Sequence, residues 1–287
     1  MASSRILPEF ELLLPQSIKE AVSALGKLKS KASVMAGGTD VVISCTKGFG
    51  APNVISLAEI PGLDYVEYDS KKGLRIGAMA TLQQVADNAD VKKRYPALQR
   101  ACAINGTPQT RNMGTVVGNI MRASPSGDCI CAVLAIGGTV VLQGSKGKRE
   151  VNIDDFYLKY RETACKADEL AVEIKLPAAG SCNAFARMTR TTLDLSKVNV
   201  ACSLVMSGKT VKEARVAIGA VAPTTIRLKK VEALLKGKQI TDDLLQTIVE
   251  TVPSEIKPID DVRSTAEYRR DIAGVMVRRI IAEAVAK

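Results

Sequence analysis

Two short stretches of the chain combine glycine, threonine and aspartate in a pattern that suits anion binding. VMAGGTDVVI runs from Val34 to Ile43, and MGTVVGNIMRASPSGD runs from Met113 to Asp128. A glycine-rich turn lets several backbone N–H groups point at one anion without obstruction by side chains, and phosphate groups are common ligands of that geometry. The two loops are therefore compatible with a phosphate-rich ligand between them. From the residues alone, ordinary turns are the simpler explanation, because glycine, proline, serine and aspartate also build plain loops.

The fingerprints of several other catalytic and nucleotide sites are missing from the sequence. AGGTD does not match G-x-G-x-x-G, and the chain contains no G-x-x-x-x-G-K-S/T, so neither a Rossmann dinucleotide site nor a P-loop is supported. The chain has no histidine, which excludes histidine-based catalysis, histidine metal ligands and a flavin attached through histidine. Cys129 and Cys131 lie in the apolar run DCICAVLAI without further ligands at fixed spacing. We interpret both as buried small apolar residues.

Length and composition indicate a folded protein of two domains. The 287 residues suffice for two well-packed cores, and 46% hydrophobic with 24% charged residues is typical of globular chains. The net charge of +10 raises the question of nucleic acid. Lysine and arginine are nevertheless spread along the chain and only 3% of residues are aromatic, so nucleic-acid binding is not predicted. Seven scattered cysteines and a start, MASSRILPEFELLLP, without an export signal indicate a cytoplasmic protein with reduced thiols, and no membrane span is predicted.

Helix and strand signals alternate along the chain and predict a mixed α and β fold. Ser17 with Glu20, and Thr81 with Gln84, have the spacing of capping boxes that begin helices. The run CICAVLAIGGTVVL predicts a buried helix and then a strand. Apolar runs and alternation predict further strands at 53–57, 63–68, 73–79, 196–206 and 211–228, and helices at 96–104, 228–236 and 264–286. In the last helix, one apolar face is expected to hold Tyr268, Ile272, Val275, Met276 and Ile280.

Five motifs resemble, in their order, one protein family. They are AGGTDVV, TRNMGTVVGNIMRASPSGD, FARMTRTTLDLSKV, ARVAIGAVAPTTIRLKKVEALLKGK and DVRSTAEYRRDIAGVMVRRI. The family is the FAD-binding medium subunit of the molybdenum hydroxylases, of the xanthine dehydrogenase and carbon monoxide dehydrogenase type. The resemblance extends from about Pro8 to the C-terminus and implies an α+β fold. The implied fold has two domains. Residues 1–178 form a two-subdomain FAD-binding domain of the vanillyl-alcohol-oxidase/PCMH type, and residues 179–287 form a small C-terminal domain of a three-stranded sheet with helices.

The resemblance assigns non-covalent FAD to the two glycine loops. Backbone amides of the first loop hold the pyrophosphate in the family, and residues of the second loop meet the phosphates, the nucleotide and the flavin. Lys197 resembles a lysine that approaches the isoalloxazine ring, where a cation stabilises a reduced, anionic flavin. The cofactor-binding residues implied are Met35, Ala36, Gly37, Gly38, Thr39, Asp40, Gly114, Thr115, Gly118, Asn119, Ser124, Asp128 and Lys197. No catalytic residue and no metal ligand is implied.

Some of these positions have plainer interpretations. Asp128 could cap the helix that follows it. Lys197 could be a solvated lysine at a strand end, with Arg187 and Arg190 as alternative cations nearby. The family usually reads T-x-G-G-N where this chain has TVVGN, so Val117 replaces a glycine. A β-branched residue does not tolerate positive φ, so either the loop is rearranged or this position never needed glycine.

The resemblance also implies the partners and the reaction. The molybdenum cofactor would lie on a large subunit and the 2Fe-2S clusters on a small subunit, in a heterotrimer or its dimer. This chain would then be the electron-transfer flavoprotein component of an oxidoreductase, passing electrons from the clusters to an external acceptor such as NAD, a quinone or a ferredoxin. A free-standing flavin oxidoreductase and a basic binding protein without cofactor are the competing hypotheses. The substrate is not readable from this chain, because its pocket belongs to another subunit.

Overall fold

The computed structural model describes residues 7–286, so the first six residues of the start considered above lie outside the described part. Within it the strands are β1 (Glu11–Leu13), β2 (Ala32–Met35), β3 (Asn53–Ser56), β4 (Val66–Asp69), β5 (Gly73–Gly77), β6 (Thr139–Gly144), β7 (Gly147–Asn152), β8 (Tyr157–Lys159), β9 (Glu162–Thr163), β10 (Leu170–Leu176), β11 (Cys182–Met188), β12 (Val198–Ser207), β13 (Thr210–Gly219) and β14 (Ile226–Arg227). The α-helices are α1 (Ile18–Leu28), α2 (Val41–Thr46), α3 (Leu82–Asp87), α4 (Ala89–Arg94), α5 (Pro96–Ala103), α6 (Pro108–Met113), α7 (Val116–Arg122), α8 (Asp128–Ile136), α9 (Lys229–Leu235), α10 (Asp242–Thr251) and α11 (Ala266–Val285).

A small parallel sheet carries the first glycine loop. Its strands lie in the order β1-β3-β2, and β2 leads directly into the loop. Helix α1 precedes β2 and begins as predicted at Ser17, whose hydroxyl accepts a hydrogen bond from the Glu20 N–H at 3.2 Å. The Glu20 carboxylate accepts from the Gln16 N–H at 2.9 Å, one residue earlier than in a strict capping box.

An antiparallel sheet forms the centre of the first half of the chain. Its strands lie in the order β4-β5-β10-β6-β7. The predicted capping box at Thr81 and Gln84 is present with both of its hydrogen bonds and begins α3. Helix α8 is buried along its whole length, as the uninterrupted apolar run predicts, and Cys129 and Cys131 are fully buried in it. This helix packs against α5 on one side and against β12 and β13 on another, so it belongs to the contact between the two halves.

The second half is an antiparallel sheet covered by helices. Three long strands, β11, β12 and β13, pair in that order, and the two-residue strand β14 extends the edge. Helices α9 and α11 pack on this sheet, and α10 packs on these two helices, around a second hydrophobic core. The α+β class and the helix-covered C-terminal sheet are therefore confirmed, with β14 as a short addition to the three expected strands.

Several helices were not predicted. Residues 41–46 and 116–122 are helical although both glycine stretches were interpreted as loops, and α10 lies between the two predicted C-terminal helices. The face assigned to α11 is wrong at one end, because Tyr268 is 40% exposed whereas Met276 and Ile280 are buried. The helix instead buries Arg269 at that end, where its guanidinium donates to the Ala220 carbonyl and pairs with Asp261.

Candidate cofactor site

A cavity of about 610 Å³ lies between the two glycine loops. Its volume is in the range of pockets that hold cofactors. Besides both loops, its wall contains residues of α1, the segment 161–171 and the C-terminal end of α7. The predicted site residues that line it are Ala36, Gly37, Gly38, Thr39, Asp40, Gly114, Thr115, Gly118 and Asn119. The structure therefore brings most of the predicted residues together around one space.

The first loop offers free backbone donors to this cavity. Gly38 has φ +74°, a conformation that a residue with a side chain rarely adopts, and this turns the chain between β2 and α2. The hydrogen bonds of the described residues include none donated by the backbone N–H groups of Gly37, Gly38, Thr39 or Asp40. Gly37, Gly38 and Thr39 are half-buried, where N–H groups normally have a partner, whereas Asp40 is exposed. Several unpaired donors on one short loop are a suitable cradle for an anion such as a diphosphate.

The second loop is shaped by a helix cap. The Thr115 hydroxyl accepts a hydrogen bond from the Gly118 N–H at 3.0 Å and so begins α7. Val117 lies within this helix, is buried and has no positive φ. Of the two alternatives for this position, the structure supports the one in which it never needed glycine. The substitution adds apolar packing against the cavity wall rather than strain.

Asn119 presents an acceptor that lacks a partner. Its side-chain oxygen Oδ1 is buried and has no hydrogen-bond partner among the described residues, and the residue lines the cavity. A buried amide oxygen without a hydrogen bond is destabilising by about 1–3 kcal/mol. A ligand that donates a hydrogen bond here, such as a ribose or ribityl hydroxyl or a ring N–H, would remove that penalty. The free N–H groups and this orphaned oxygen together fit a dinucleotide such as FAD.

Charged side chains surround the cavity. Arg122 Nε donates to Asp40 Oδ1 at 2.8 Å, which links the end of α7 to the first loop. Lys29, Arg161 and Lys166 also line the wall and supply positive charge. Glu169 is held by Arg149 at 2.6 Å, and this hydrogen bond lowers the pKa of Glu169 below its usual range. The Glu169 carboxylate is therefore already paired. The positive charges that remain on the wall favour an anionic ligand.

Four of the predicted site residues lie outside the cavity wall: Met35, Ser124, Asp128 and Lys197. Met35 ends β2, and its sulfur lies beneath Gly38. Ser124 accepts a weak hydrogen bond from the Ser126 N–H at 3.4 Å. Lys197 directly precedes β12, and its Nζ lies 5.2 Å from the centre of the Tyr268 ring.

Asp128 is 3% exposed and has a full set of protein partners. Its carboxylate accepts from Arg187 Nη1 at 2.7 Å, from Ser196 Oγ at 2.7 Å and from Asn199 Nδ2 at 2.8 Å. It makes no helix-capping bond at the start of α8, which excludes the plainer interpretation given above. The carboxylate instead ties α8 to β11 and β12. Its role as a cofactor contact stays a prediction.

Other residues of the wall were not predicted from the sequence. Asn105 and the segment 161–171 come to the cavity from separate elements and no local motif marks them, whereas Arg122 ends α7 within the second glycine stretch but was not singled out. Within residues 7–286, no group of three or more cysteine, aspartate or glutamate side chains is placed to hold a metal ion. No helix of this described range is long and apolar enough to cross a membrane.

Comparisons with known proteins agree with this geometry. Residues 8–179 match the model of the FAD binding domain in molybdopterin dehydrogenase, and residues 183–284 match that of the CO dehydrogenase flavoprotein C-terminal domain. The chain is 33% identical to the carbon monoxide dehydrogenase medium chain of Hydrogenophaga pseudoflava, with 98% of this chain and 99% of the relative covered. It is 28% identical to the xanthine dehydrogenase FAD-binding subunit of Escherichia coli O157:H7, with 94% of each chain covered.

A solved structure is also closely similar. The chain superposes with a TM-score of 0.94 and 34% identity on carbon monoxide dehydrogenase from Hydrogenophaga pseudoflava lacking the Mo-pyranopterin moiety, covering 98% of this chain and 99% of that one. The predicted family, oxidoreductase class and cofactor are therefore confirmed, since FAD is what the matched domain binds. The chain belongs to the family of FAD-binding medium subunits of the molybdenum hydroxylases.

Proposed function

We propose that the cavity between the glycine loops holds FAD without a covalent bond and that the chain passes electrons from 2Fe-2S clusters on a partner to an external acceptor. The observation that carries this proposal is that hydrogen-bond donors and an acceptor, all without a protein partner, surround the same cavity. The N–H groups of Gly37 to Asp40 have no acceptor among the described residues, and Asn119 Oδ1 has no donor. A cofactor with a diphosphate and several hydroxyl groups satisfies both.

Different residues of the cavity wall would bind different parts of FAD. The amides of the first loop would hold the diphosphate, and Gly114, Thr115 and Gly118 of the second loop would line the cavity beside it. The Asn119 amide would orient a hydroxyl or ring N–H. Lys29, Arg161 and Lys166 supply long-range attraction for the phosphates. Met35 supports the turn at Gly38 from beneath, so its role is positioning.

We extend the proposal to Ser124, Asp128 and Lys197 as residues near the flavin end. What supports this is their place in one connected region: Asp128 binds Ser196, and Lys197 is the next residue in the chain. When bound, FAD supplies a centre that exchanges electrons one or two at a time. The chain's own task is to bind it, orient it and exclude water.

The remaining assignments concern the assembly. We propose a large subunit with the molybdenum cofactor, a small subunit with the 2Fe-2S clusters, and a heterotrimer or its dimer. We also place the boundary between the two domains near residues 178–183, which the two family matches flank. The oxidised substrate would be bound by the large subunit, whereas this chain would deliver the electrons to the external acceptor.

The test is an absorption spectrum of the purified chain before and after acid precipitation, with two matched variants. Asn119→Leu removes the orphaned oxygen, and Asn112→Leu makes the same change on α6, where the amide only donates to the Pro108 carbonyl. We expect flavin bands that move to the acid-soluble fraction, a clear loss of FAD in the first variant and none in the second. A colourless chain that fails to take up added FAD would overturn the proposal.

A further inference from the structure

Lys197 is a half-buried cation that no carboxylate within residues 7–286 pairs with. The carboxylate of Asp194, three residues before it, is already bound by Arg190 at 2.6 Å. Asp128, on the neighbouring helix α8, is bound by Arg187 at 2.7 Å. An ammonium group that has lost part of its water and faces no carboxylate favours an anionic ligand beside it.

The ring of Tyr268 faces this ammonium group. Lys197 Nζ lies 5.2 Å from the ring centre, within the distance of about 6 Å at which an aromatic face attracts a cation. A lysine stem is flexible and does not by itself fix the position of its charge. Because Tyr268 is 40% exposed, packing in the core does not account for this ring. Its contact with Lys197 therefore restricts where the charge lies.

The first turn of α11 holds the ring in place. The Tyr268 N–H donates to the Thr265 hydroxyl, which caps the helix, at 3.2 Å. The next residue, Arg269, is buried; its guanidinium donates to the Ala220 carbonyl at 3.0 Å and pairs with Asp261 at 2.7 Å. A buried arginine cannot leave its partners without a large penalty for the unpaired charge. The turn that carries Tyr268 is therefore anchored.

The same turn is connected to the segment 124–128. Ala220 has φ +63°, a conformation that is strained for a residue with a side chain. In this conformation its N–H donates to the Pro125 carbonyl at 2.7 Å, while its own carbonyl accepts from Arg269. The first turn of α11 is thus in contact with both parts of the proposed flavin end, the segment 124–128 through Ala220 and Lys197 through the aromatic ring.

We propose that Tyr268 is a positioning residue whose ring holds the Lys197 ammonium group beside the isoalloxazine ring of FAD. The inference rests on the proposed function, which places Lys197 near the flavin end. A cation fixed there binds reduced, anionic flavin more strongly than oxidised flavin and so raises the reduction potential of the bound cofactor. Without the aromatic ring, the lysine stem would carry its charge towards water, and this preference would weaken.

The experiment measures the reduction potential of FAD bound to the full chain by spectroelectrochemical titration, together with flavin content. Tyr268→Leu should weaken the binding of reduced relative to oxidised FAD about threefold to tenfold, which lowers the two-electron potential by about 15–30 mV. Tyr268→Phe keeps the aromatic face and should keep the potential of the wild type. Tyr68→Leu is the matched control, because the Tyr68 ring faces Arg94 at 4.3 Å and does not line the cavity; its potential should not change.

A double-mutant cycle tests whether Lys197 transmits the effect. Lys197→Met should lower the potential at least as much as Tyr268→Leu, and adding Tyr268→Leu to Lys197→Met should change it no further. Equal shifts with and without Lys197 would overturn the inference, because the ring would then act on the flavin without the lysine.

Other results would also overturn the inference. An unchanged potential in Tyr268→Leu would show that the ring does not position the charge, and the same shift in Tyr268→Phe or Tyr68→Leu would show that the aromatic face of Tyr268 is not the cause. Loss of FAD from Tyr268→Leu but not from Lys197→Met would assign the ring to binding of the cofactor itself. These results leave the proposed function standing, whereas a wild-type chain that takes up no FAD contradicts the proposed function.

Discussion

Gly37 and Met113 hold the two glycine loops in direct backbone contact. A β-carbon at position 37 would stand 1.6 Å from the Met113 carbonyl oxygen and 2.4 Å from its carbonyl carbon. Gly37 is not among the glycines with positive φ. The requirement for glycine is therefore steric: a side chain here would push apart the two loops that form the cavity.

The first prediction follows from this contact. Gly37→Ala should lower the free energy of unfolding by about 1–3 kcal/mol, because backbone atoms cannot move aside as a flexible side chain does. It should also reduce FAD content, since both loops shift. Gly26→Ala is the control: this glycine lies inside α1 with nothing within 4 Å of an added methyl group. Removing a helical glycine should stabilise the chain by about 0.5–1 kcal/mol. Thermal unfolding with flavin absorption measures both effects, and a Gly37→Ala chain that is as stable as the wild type contradicts the steric argument.

A second prediction concerns the cap of α7. Thr115→Val keeps the shape of this buried side chain but removes the hydroxyl that accepts from the Gly118 N–H. We expect a loss of about 1 kcal/mol in stability. FAD binding should also weaken, because the cap fixes the position of Gly118 and Asn119 at the start of α7. Thr241→Val removes the equivalent cap of α10, where the hydroxyl accepts from the Leu244 N–H at 3.3 Å. That variant should lose similar stability and keep its flavin; equal FAD loss in both would show that the effect is only global.

The sequence predicted those elements whose signals are local. The capping box at Thr81, the apolar run of α8 and the alternation of β12 and β13 each lie within one element, and each formed as expected. Helices α2 and α7 were missed because they begin with β-branched residues, which have low helix propensity. Packing of Val116, Val117 and Ile120 into the core decides the conformation of α7 instead.

In the candidate site, too, residues with a local sequence signal could be predicted and residues placed by long-range contacts could not. The two glycine loops could be found from residue types and spacing, because a turn that exposes its amides needs glycine locally. Arg122 could not be found, since its contact with Asp40 joins residues far apart in the chain and a single arginine carries no signal. Asp128 was identified as important, but its partners Arg187, Ser196 and Asn199 became evident only when β11 and β12 were placed beside α8.

A third prediction tests an ion-pair cluster between the two halves. Asp154 binds Arg215 with both carboxylate oxygens, at 2.7 and 3.1 Å, and also pairs with Arg227 at 3.1 Å. Burial raises the pKa of Asp154, but the hydrogen bonds and charge of Arg215 and the charge of Arg227 outweigh it and hold the pKa below its usual range. The cluster therefore stabilises the folded chain above the unfolded pKa of about 3.9, and this contribution disappears as the pH falls through the lower folded value.

Asp154→Asn should consequently be less stable than the wild type at neutral pH by about 1 kcal/mol, and the difference should shrink as the pH falls below about 4. Urea unfolding at several pH values measures it. The neighbouring Asp155, which makes no ion pair among the described residues, provides the control Asp155→Asn. A stability difference that stays constant down to the lowest pH would show that the pairing of Asp154 with the two arginines is not what the substitution removed.

The last prediction uses a cysteine as a reporter of where FAD lies. Cys165 is the cysteine that lines the cavity wall, while Cys182 is half-buried elsewhere. Burial, with a smaller contribution from Glu169, raises the pKa of Cys165 to about 12. Its thiolate fraction is therefore small near neutral pH and rises about tenfold per pH unit, so alkylation by iodoacetamide of the chain stripped of FAD should accelerate steeply from about pH 7 to pH 9.

Added FAD should slow alkylation of Cys165 and leave that of Cys182 unchanged, as followed by peptide mass spectrometry. Because the thiol is not proposed to bind the cofactor, protection would report occupancy of the cavity independently of activity. FAD that binds without protecting Cys165 would place the cofactor elsewhere on the chain, and equal protection of both thiols would indicate a general tightening of the fold.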